Sequence, residues 1–288
     1  MTTETLSPRF PLLRSNQQRG SKPRCHLLTT GPSDEVAQRL TRLIEPWGEV
    51  LATDSWMPDA FDRCGEAQLH TAEMLIPDPQ MRNSLLNWWL AVPGPRTTTP
   101  NWDIASTCAI GGKHGLLLIE AKAHDAELRN EERGKPLGTE DNKGVSIDSR
   151  RNHVRIGSCI TDASLALSDQ TKLVWSLSRD WNYQMANRFT WAWKLTELGI
   201  PVILVYLGFI GCEEMRKGSS QRQIIDLEDW DAIVRAHSRP LFPGEIWNQR
   251  WQLHGQSFIP LIRACDQSLE LTRLTTRPSD KQELRANS

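Results

Sequence analysis

Apolar residues in the middle of the chain follow the patterns of β-strands. In the segment 104–110 the side chains at even positions share one face, because strand side chains alternate with a period of two. The segment 116–119 is an unbroken apolar run, which is typical of a strand buried on both faces. Gly111 and Gly112 lie between these segments and predict a tight turn, so the pattern indicates a hairpin. A further apolar run at 201–209 predicts another buried strand.

Apolar residues elsewhere recur every three or four positions and predict helices. The helix that starts at Ser33 has a polar start and an apolar stripe, and Pro77 and Pro79 end the second helix. The third helix ends at 93–95, and we expect its tryptophans to pack in the core. The predicted helices cover 33–44, 62–76, 81–92, 150–167, 180–198 and 226–237, and short strands are predicted at 25–30 and 48–53.

At 288 residues the chain has room for one large domain with extensions. We interpret 23–270 as a single domain with its core at about 60–210. Residues 1–22 are predicted to be a disordered tail, and 271–288 a polar tail. Hydrophobic residues make up 39% and charged residues 24% of the chain, as in soluble globular proteins.

The charge distribution is uneven, although the formal net charge is only −1. The overall charge therefore gives no evidence of nucleic-acid binding, which would need a local basic surface. The segment 150–198 holds seven Lys or Arg against four Asp or Glu, so this half of the predicted core is locally basic.

Cysteine usage and hydropathy bear on the compartment. The six cysteines are scattered without a zinc-type spacing and indicate reduced thiols. No apolar run approaches the ~18 residues of a membrane span, and the N-terminus lacks the apolar region of a secretory signal. We therefore expect a cytoplasmic protein with no membrane partner.

Two carboxylates and an amine lie at one end of the predicted hairpin. Asp103 opens the first strand, and Glu120 and Lys122 close the second, where they share a face because they are two residues apart. Carboxylate oxygens suit Mg²⁺, which lowers the pKa of a bound water. A nearby lysine can orient that water and offset negative charge. The alternative is that Glu120 and Lys122 form a solvated strand end, since a D…ExK match also arises by chance.

This stretch resembles the PD-(D/E)xK nuclease superfamily, with Asp103, Glu120 and Lys122 at the motif positions. Trp102 stands where the family pattern has proline. The resemblance covers about residues 60–210 and implies an α/β fold with a restriction-endonuclease-like αβββαβ core. A central mixed sheet would be flanked by helices, with extra helices at both ends of the chain. The first core strand is not assigned; it is either very short or earlier in the chain.

The resemblance implies a metal site for Mg²⁺, with Mn²⁺ as a substitute. Asp103, Glu120 and the carbonyl of Ala121 would be ligands, and Lys122 would position water. A glutamate from the first core helix would add a third acid, and Glu66 and Glu73 are the candidates, unless each belongs to a solvated helix face. A polar residue after the ExK motif would support the site. Gln184 matches by position, and a surface amide is the alternative.

Three arginines are candidates for nucleic-acid contacts. Arg151 and Arg155 make the start of the helix at 150–167 basic, and Arg188 lies one turn after Gln184. The segment 125–149 predicts a long loop beyond the site, either a lid or disordered. Its Lys135 and Lys143 could reach a phosphate, although solvated charge is the simpler interpretation.

These features lead to one main hypothesis and two alternatives. The main hypothesis is a metal-dependent nuclease that hydrolyses phosphodiesters, with DNA as the favoured nucleic acid. The first alternative is a non-catalytic restriction-like fold that binds nucleic acid or protein. The second is a hydrolase of another phosphoester. A homodimer is one assembly that the sequence leaves open, as are the sequence specificity and the pathway.

Overall fold

The structure is a computed structural model that describes residues 19–59, 65–95, 97–129, 134–135, 137, 145–215, 222–267 and 269. It is a mixed α/β fold around an open sheet of six strands in the order β1-β2-β3-β4-β6-β5. The strands are β1 (Trp56–Met57), β2 (Ile104–Ile110), β3 (Lys113–Lys122), β4 (Val202–Phe209), β5 (Trp251–Leu253) and β6 (Gln256–Cys265).

The predicted hairpin is confirmed by the pairing of β2 with β3. The two strands are antiparallel, with Ile104 opposite Ile119. Gly111 and Gly112 have φ values of 57° and 79°, and two consecutive positive φ angles are what a two-residue type I′ turn requires. Glycine adopts such angles without a steric penalty, so these two residues fix where the chain reverses.

The centre of the sheet is parallel. β3 pairs with β4, and β4 pairs with β6, in parallel registers that place Glu120 opposite Tyr206. Every residue of β4 is buried, which confirms the strand predicted from the apolar run at 201–209. Parallel strands are joined by crossover connections, which are usually helices that pack on a face of the sheet. Both faces of a parallel sheet are therefore normally covered by helices.

Seven α-helices are present among the described residues, and they form a layer on each face of the sheet. On one face α1 and α2 pack against Leu117, Ile119 and Ile203. On the other face α3, α5, α6 and α7 pack against Leu118 and Tyr206. The helices are α1 (Ser21–Leu28), α2 (Ser33–Ile44), α3 (Pro79–Trp89), α4 (Ala126–Arg129), α5 (Ile147–Thr171), α6 (Tyr183–Glu197) and α7 (Leu227–Ser238).

Five predicted helices are confirmed within a few residues of their ends: α2, α3, α5, α6 and α7. α7 is capped by Asp226, whose side chain accepts a hydrogen bond from the N–H of Asp229. The predicted packing of the α3 tryptophans is also confirmed, since Trp89 is buried and Trp88 packs against the same core. Apolar residues at helical spacing were sufficient to predict these helices, because one face of each helix is buried.

The helix predicted at 62–76 is wrong where the structure describes it, from residue 65 onward. The chain forms turns there, and Ala67 makes a β-bridge with Trp102. The buried residues Leu69, Ala72 and Leu75 imitate helical spacing. Gly65 and Thr71 are poor helix residues, and pairing with the chain that enters β2 satisfies the backbone instead.

Three other expectations need correction. The segment predicted as a strand at 25–30 belongs to α1, which starts inside the predicted N-terminal tail. The strand predicted at 48–53 is reduced to a bridge between Glu49 and Ala109. The sequence predicts that the segment with β5 and β6 packs onto the core, but it does not predict that this segment forms strands. The unassigned first strand is β1, which is both short and early in the chain.

Two observations bear on the expected compartment. No helix among the described residues is long and apolar enough to span a membrane. The five cysteines in the described part of the chain are free thiols.

Candidate active site

The sheet brings the three motif residues together where β3 ends and β2 begins. The Oδ2 atom of Asp103 accepts a hydrogen bond of 2.8 Å from the backbone N–H of Ala121. The Nζ atom of Lys122 lies 2.5 Å from Oε1 of Glu120, so these two side chains share one face of β3 as the spacing predicted. Hairpin register alone produces this meeting, because Ile104 opposite Ile119 places Asp103 beside the residues that follow.

Helix α6 closes the site from above the sheet through Gln184 and Arg188, which are four residues apart on one helix face. Nε2 of Gln184 donates to Oε1 of Glu120 at 2.6 Å, and Oε1 of Gln184 accepts from Lys122 at 3.2 Å. Nε of Arg188 donates to Oε2 of Glu120 at 2.6 Å. The structure therefore brings Gln184 together with Glu120 and Lys122, and its supporting role stays a prediction.

Arg188 has a structural environment that the sequence did not reveal. The side chain is 4% exposed, and it donates to the carbonyl of Asn101 and to Oδ1 of Asn187. Its guanidinium lies 4.7 Å from the ring centroid of Trp102, the residue before Asp103. These contacts make Arg188 a buried counter-charge of Glu120, and the phosphate contact predicted for it stays a prediction.

The two acids of the site have opposite electrostatic environments. Burial acts to raise the pKa of Glu120, but the charges and hydrogen bonds of Arg188 and Lys122 outweigh it and lower that pKa. Burial and the charge of Glu120 raise the pKa of Asp103 to about 8, against the opposing charge of Lys122. Glu120 is therefore ionised at neutral pH, whereas Asp103 holds a proton more easily.

Two further titratable side chains, His237 and Glu127, lie near Lys122, and neither was predicted from the sequence. Burial lowers the pKa of His237 to about 4, and the charge of Lys122 contributes. Burial raises the pKa of Glu127, and Lys122 opposes that rise. His124 lies 3.4 Å from Glu127, three residues earlier. Glu127 and His124 closely follow the motif, whereas the place of His237 depends on the packing of α7.

The two glutamates proposed as a third acid do not lie on a helix. Glu66 forms an ion pair of 2.8 Å with Lys22 of α1, and its charge contributes to the raised pKa of Asp103. Glu73 is exposed in the turns that replace the predicted helix. Of the two, Glu66 is the one with an electrostatic connection to the site.

The remaining predicted cations are divided between two surfaces. Arg151 and Arg155 are exposed on α5 and line a shallow groove beside Ile147 and Val154, not the site. Lys135 lines a pocket that adjoins the site, together with Gln184 and Arg188. Residues 130–133, 136 and 138–144 of the predicted loop, Lys143 among them, lie outside the described residues, and the described part of 125–149 includes α4 and the start of α5.

The donor atoms of the site fit a hard cation such as Mg²⁺. Asp103 is partly accessible, and its Oδ1 has no partner among the described residues, while Glu120 has three donors for about four acceptor positions. The carbonyl of Ala121 faces the same side of β3 as its N–H, which bonds to Asp103. Asp103, Glu120 and this carbonyl are oxygen ligands of the type that Mg²⁺ prefers.

Comparisons with known proteins identify no relative. No protein-family model, no curated protein and no solved structure matches this chain. In the described residues, no group of three or more His, Cys, Asp or Glu side chains is placed to hold a metal ion. The predicted ligand set, with two acids and a carbonyl, is not a group of that kind.

Proposed function

We propose that this protein is a metal-dependent nuclease that hydrolyses phosphodiester bonds, with DNA as the favoured substrate. The observation that supports it most is the convergence of Asp103, Glu120 and Lys122 at one edge of the sheet, with Gln184 joined to both Glu120 and Lys122. Residues far apart in the sequence reach this arrangement through strand register and helix packing together.

The connectivity of the fold supports a restriction-endonuclease-like core. A helix (α2) precedes three antiparallel strands (β1, β2, β3), and helices then lead to β4, which pairs in parallel with β3. This contains the αβββαβ order with additional helices, since α3 lies between β1 and β2, and α4, α5 and α6 all lie between β3 and β4. The first core helix in this interpretation is α2, which differs from the segment 62–76 proposed from the sequence.

The residues of the site divide the chemistry between them. Asp103, Glu120 and the Ala121 carbonyl would hold the cation, which when bound activates a water and neutralises charge on the phosphate. Lys122 would orient the attacking water and offset the negative charge that develops during attack. Gln184 holds the Lys122 ammonium in place, and Arg188 keeps Glu120 ionised.

A second candidate is a nucleic-acid-binding or protein-interaction module without catalysis. The negative charge of Glu120 is already balanced by Lys122 and Arg188. The raised pKa of Asp103 favours the neutral form of that carboxyl group. A site that is electrically satisfied without a cation is what this alternative would require.

Cleavage assays with matched variants separate the two candidates. Wild-type protein is incubated with plasmid, linear duplex and single-stranded substrates in Mg²⁺ and in Mn²⁺. We expect Lys122→Met to reduce cleavage by about 10²–10⁴-fold while it retains metal binding, because lysine is not a ligand. Asp103→Ala is expected to lose both. Lys113→Met is the control, since Lys113 is exposed at the opposite end of the same strand.

Two results of these assays would contradict the nuclease proposal. If the wild type cuts no substrate, or if Lys122→Met cuts as fast as the wild type, the nuclease proposal fails. Calorimetric titration with Mn²⁺ then shows whether a cation binds at all. Circular dichroism of each variant establishes that the fold is retained.

A further inference from the structure

A pocket of about 380 Å³ opens beside the candidate active site. Gln184 and Arg188 form part of its wall and also bond to Glu120, so one pair of side chains belongs to both the pocket and the site. Asn101 lines the pocket two residues before Asp103. A ligand in this pocket would therefore contact side chains that also bond to Glu120.

The charge of the pocket is positive. Its lining, as far as the structure describes it, contains Lys135 and Arg188 as charged residues and no carboxylate. Arg188 is neutralised by Glu120, whereas Lys135 contacts the hydroxyl of Tyr183 at 3.3 Å and lies over the ring of that residue. Burial of Lys135 lowers its pKa. A partly buried ammonium with a neutral partner is the group that an anionic ligand would stabilise.

Helix α6 adds to the same preference. The pocket is lined by Tyr183, Gln184 and Asn187 from the first two turns of this 15-residue helix. The N-cap residue Asn182 makes no side-chain capping bond, so it does not satisfy the N–H groups of the first turn. The positive end of the helix dipole and Lys135 thus line the same pocket, and both favour a phosphate.

The size and the walls of the pocket restrict what can enter. A volume of about 380 Å³ suits a ligand of small-molecule size, and Trp89 and Pro100 provide an apolar wall. A single nucleotide combines an anionic phosphate with a flat apolar base, whereas a base pair in a continuous duplex is too large. Trp181, two residues before Tyr183, is 58% exposed and offers a surface on which a neighbouring base could stack.

We propose that this pocket binds one nucleotide of an unpaired strand, with its phosphate held by Lys135, Tyr183 and the start of α6. The adjoining phosphodiester is then presented to Asp103 and Glu120. This inference rests on the proposed nuclease function and specifies its substrate class as single-stranded or frayed nucleic acid.

Binding measurements without catalysis test the pocket directly. In EDTA, calorimetric titrations compare a short 5′-phosphorylated oligothymidylate, deoxythymidine 5′-monophosphate and a blunt duplex. We expect the oligothymidylate to bind at least about tenfold more tightly than the duplex, and Lys135→Gln to weaken it about tenfold, as loss of a charge-assisted hydrogen bond does. Lys172→Gln is the control, because Lys172 is exposed and lies outside the pocket.

Two further variants separate the parts of the proposal. Tyr183→Phe removes the phosphate-side hydroxyl and is expected to weaken the oligothymidylate and the mononucleotide alike. Trp181→Ala is expected to weaken the oligothymidylate about tenfold and leave the mononucleotide unchanged, because only the strand reaches a second base.

The outcomes are distinguishable. Equal binding of duplex and single strand, or unchanged binding by Lys135→Gln, would overturn the pocket proposal. A mononucleotide that binds as tightly as the oligothymidylate would overturn its assignment to a strand. If the strand binds as expected but no substrate is cut in Mg²⁺ or Mn²⁺, the pocket stands and the nuclease function fails.

Discussion

Glu120 is the residue on which the candidate site depends most. Its side chain is 1% exposed, and such a carboxylate is costly to bury unless its charge is paired and hydrogen-bonded. Lys122, Gln184 and Arg188 together meet that requirement. The charge of Arg188 is the largest influence that lowers the pKa of Glu120. The loss of Arg188 should therefore affect the whole fold.

Replacement of Arg188 tests this dependence. We expect Arg188→Met to lower the free energy of unfolding by about 3–5 kcal/mol, the typical cost when one partner of a buried ion pair is removed. Arg188→Lys should recover part of the loss, since it retains the charge. Urea denaturation at neutral pH measures the difference, and Arg151→Met on the exposed face of α5 is the control. An Arg188→Met protein as stable as the control would show that Lys122 alone compensates Glu120.

Asp103 predicts a dependence of stability on pH. Its pKa in the folded protein is about 8, and its pKa in the unfolded chain is about 4. Between these values the folded state binds more protons, so stability is greatest at the acid end and falls as the pH rises towards 8. Asp103→Asn removes this titration and still accepts the hydrogen bond from Ala121.

We therefore expect the gain in stability from Asp103→Asn to increase with pH. The free energy of unfolding should rise by about 1–2 kcal/mol relative to wild type at pH 8, and by less at pH 5. Urea denaturation at both pH values checks this, with the exposed Asp169→Asn as control. A gain that is the same at pH 5 and pH 8 would contradict the raised pKa.

At the scale of the elements, β4 and α7 are fitted to each other at Gly208. A Cβ atom added to Gly208 would lie 2.7 Å from the ring of Trp230, which is fully buried. The indole N–H of Trp230 also donates to the carbonyl of Tyr206 at 3.0 Å, so the ring cannot move freely. The absence of a side chain at Gly208 allows α7 to lie close to the sheet.

Gly208→Ala should consequently be destabilising. Overpacking of a well-packed core costs about 1–3 kcal/mol, and we expect a loss in that range by thermal or urea denaturation. Gly94→Ala is the matched control, because a Cβ atom there has no neighbour within 4 Å among the described residues. Equal stability of the two variants would mean that α7 shifts at no cost.

Over the whole molecule, two helical layers leave the carboxyl ends of β3 and β4 as the place where polar groups gather. The apolar clusters on the two faces of the sheet stabilise the strands. The charged residues of the site lie at the end of these clusters and are paired with each other. A net charge of −1 is more compatible with the proposed pocket, which would bind one or two phosphates, than with a surface that binds a long duplex.

The strands β2, β3 and β4 and most helices of this arrangement could be predicted because their signals are local. The glycine turn, the apolar run at 116–119 and the stripe of α2 each reflect which side of an element is buried. The meeting of Asp103, Glu120 and Lys122 followed from the same patterns, since a hairpin with a short turn has only one close-paired register.

What the sequence by itself determined is therefore the hairpin, the buried parallel strand and the motif at their ends. The tertiary structure decided the rest. It formed turns within 65–76, where Ala67 pairs with Trp102, and it placed Arg188 on Glu120 and Lys135 beside the site. A side-chain period reports which face is buried, but the partner of a charged group depends on which elements pack together, and that is a property of the whole chain.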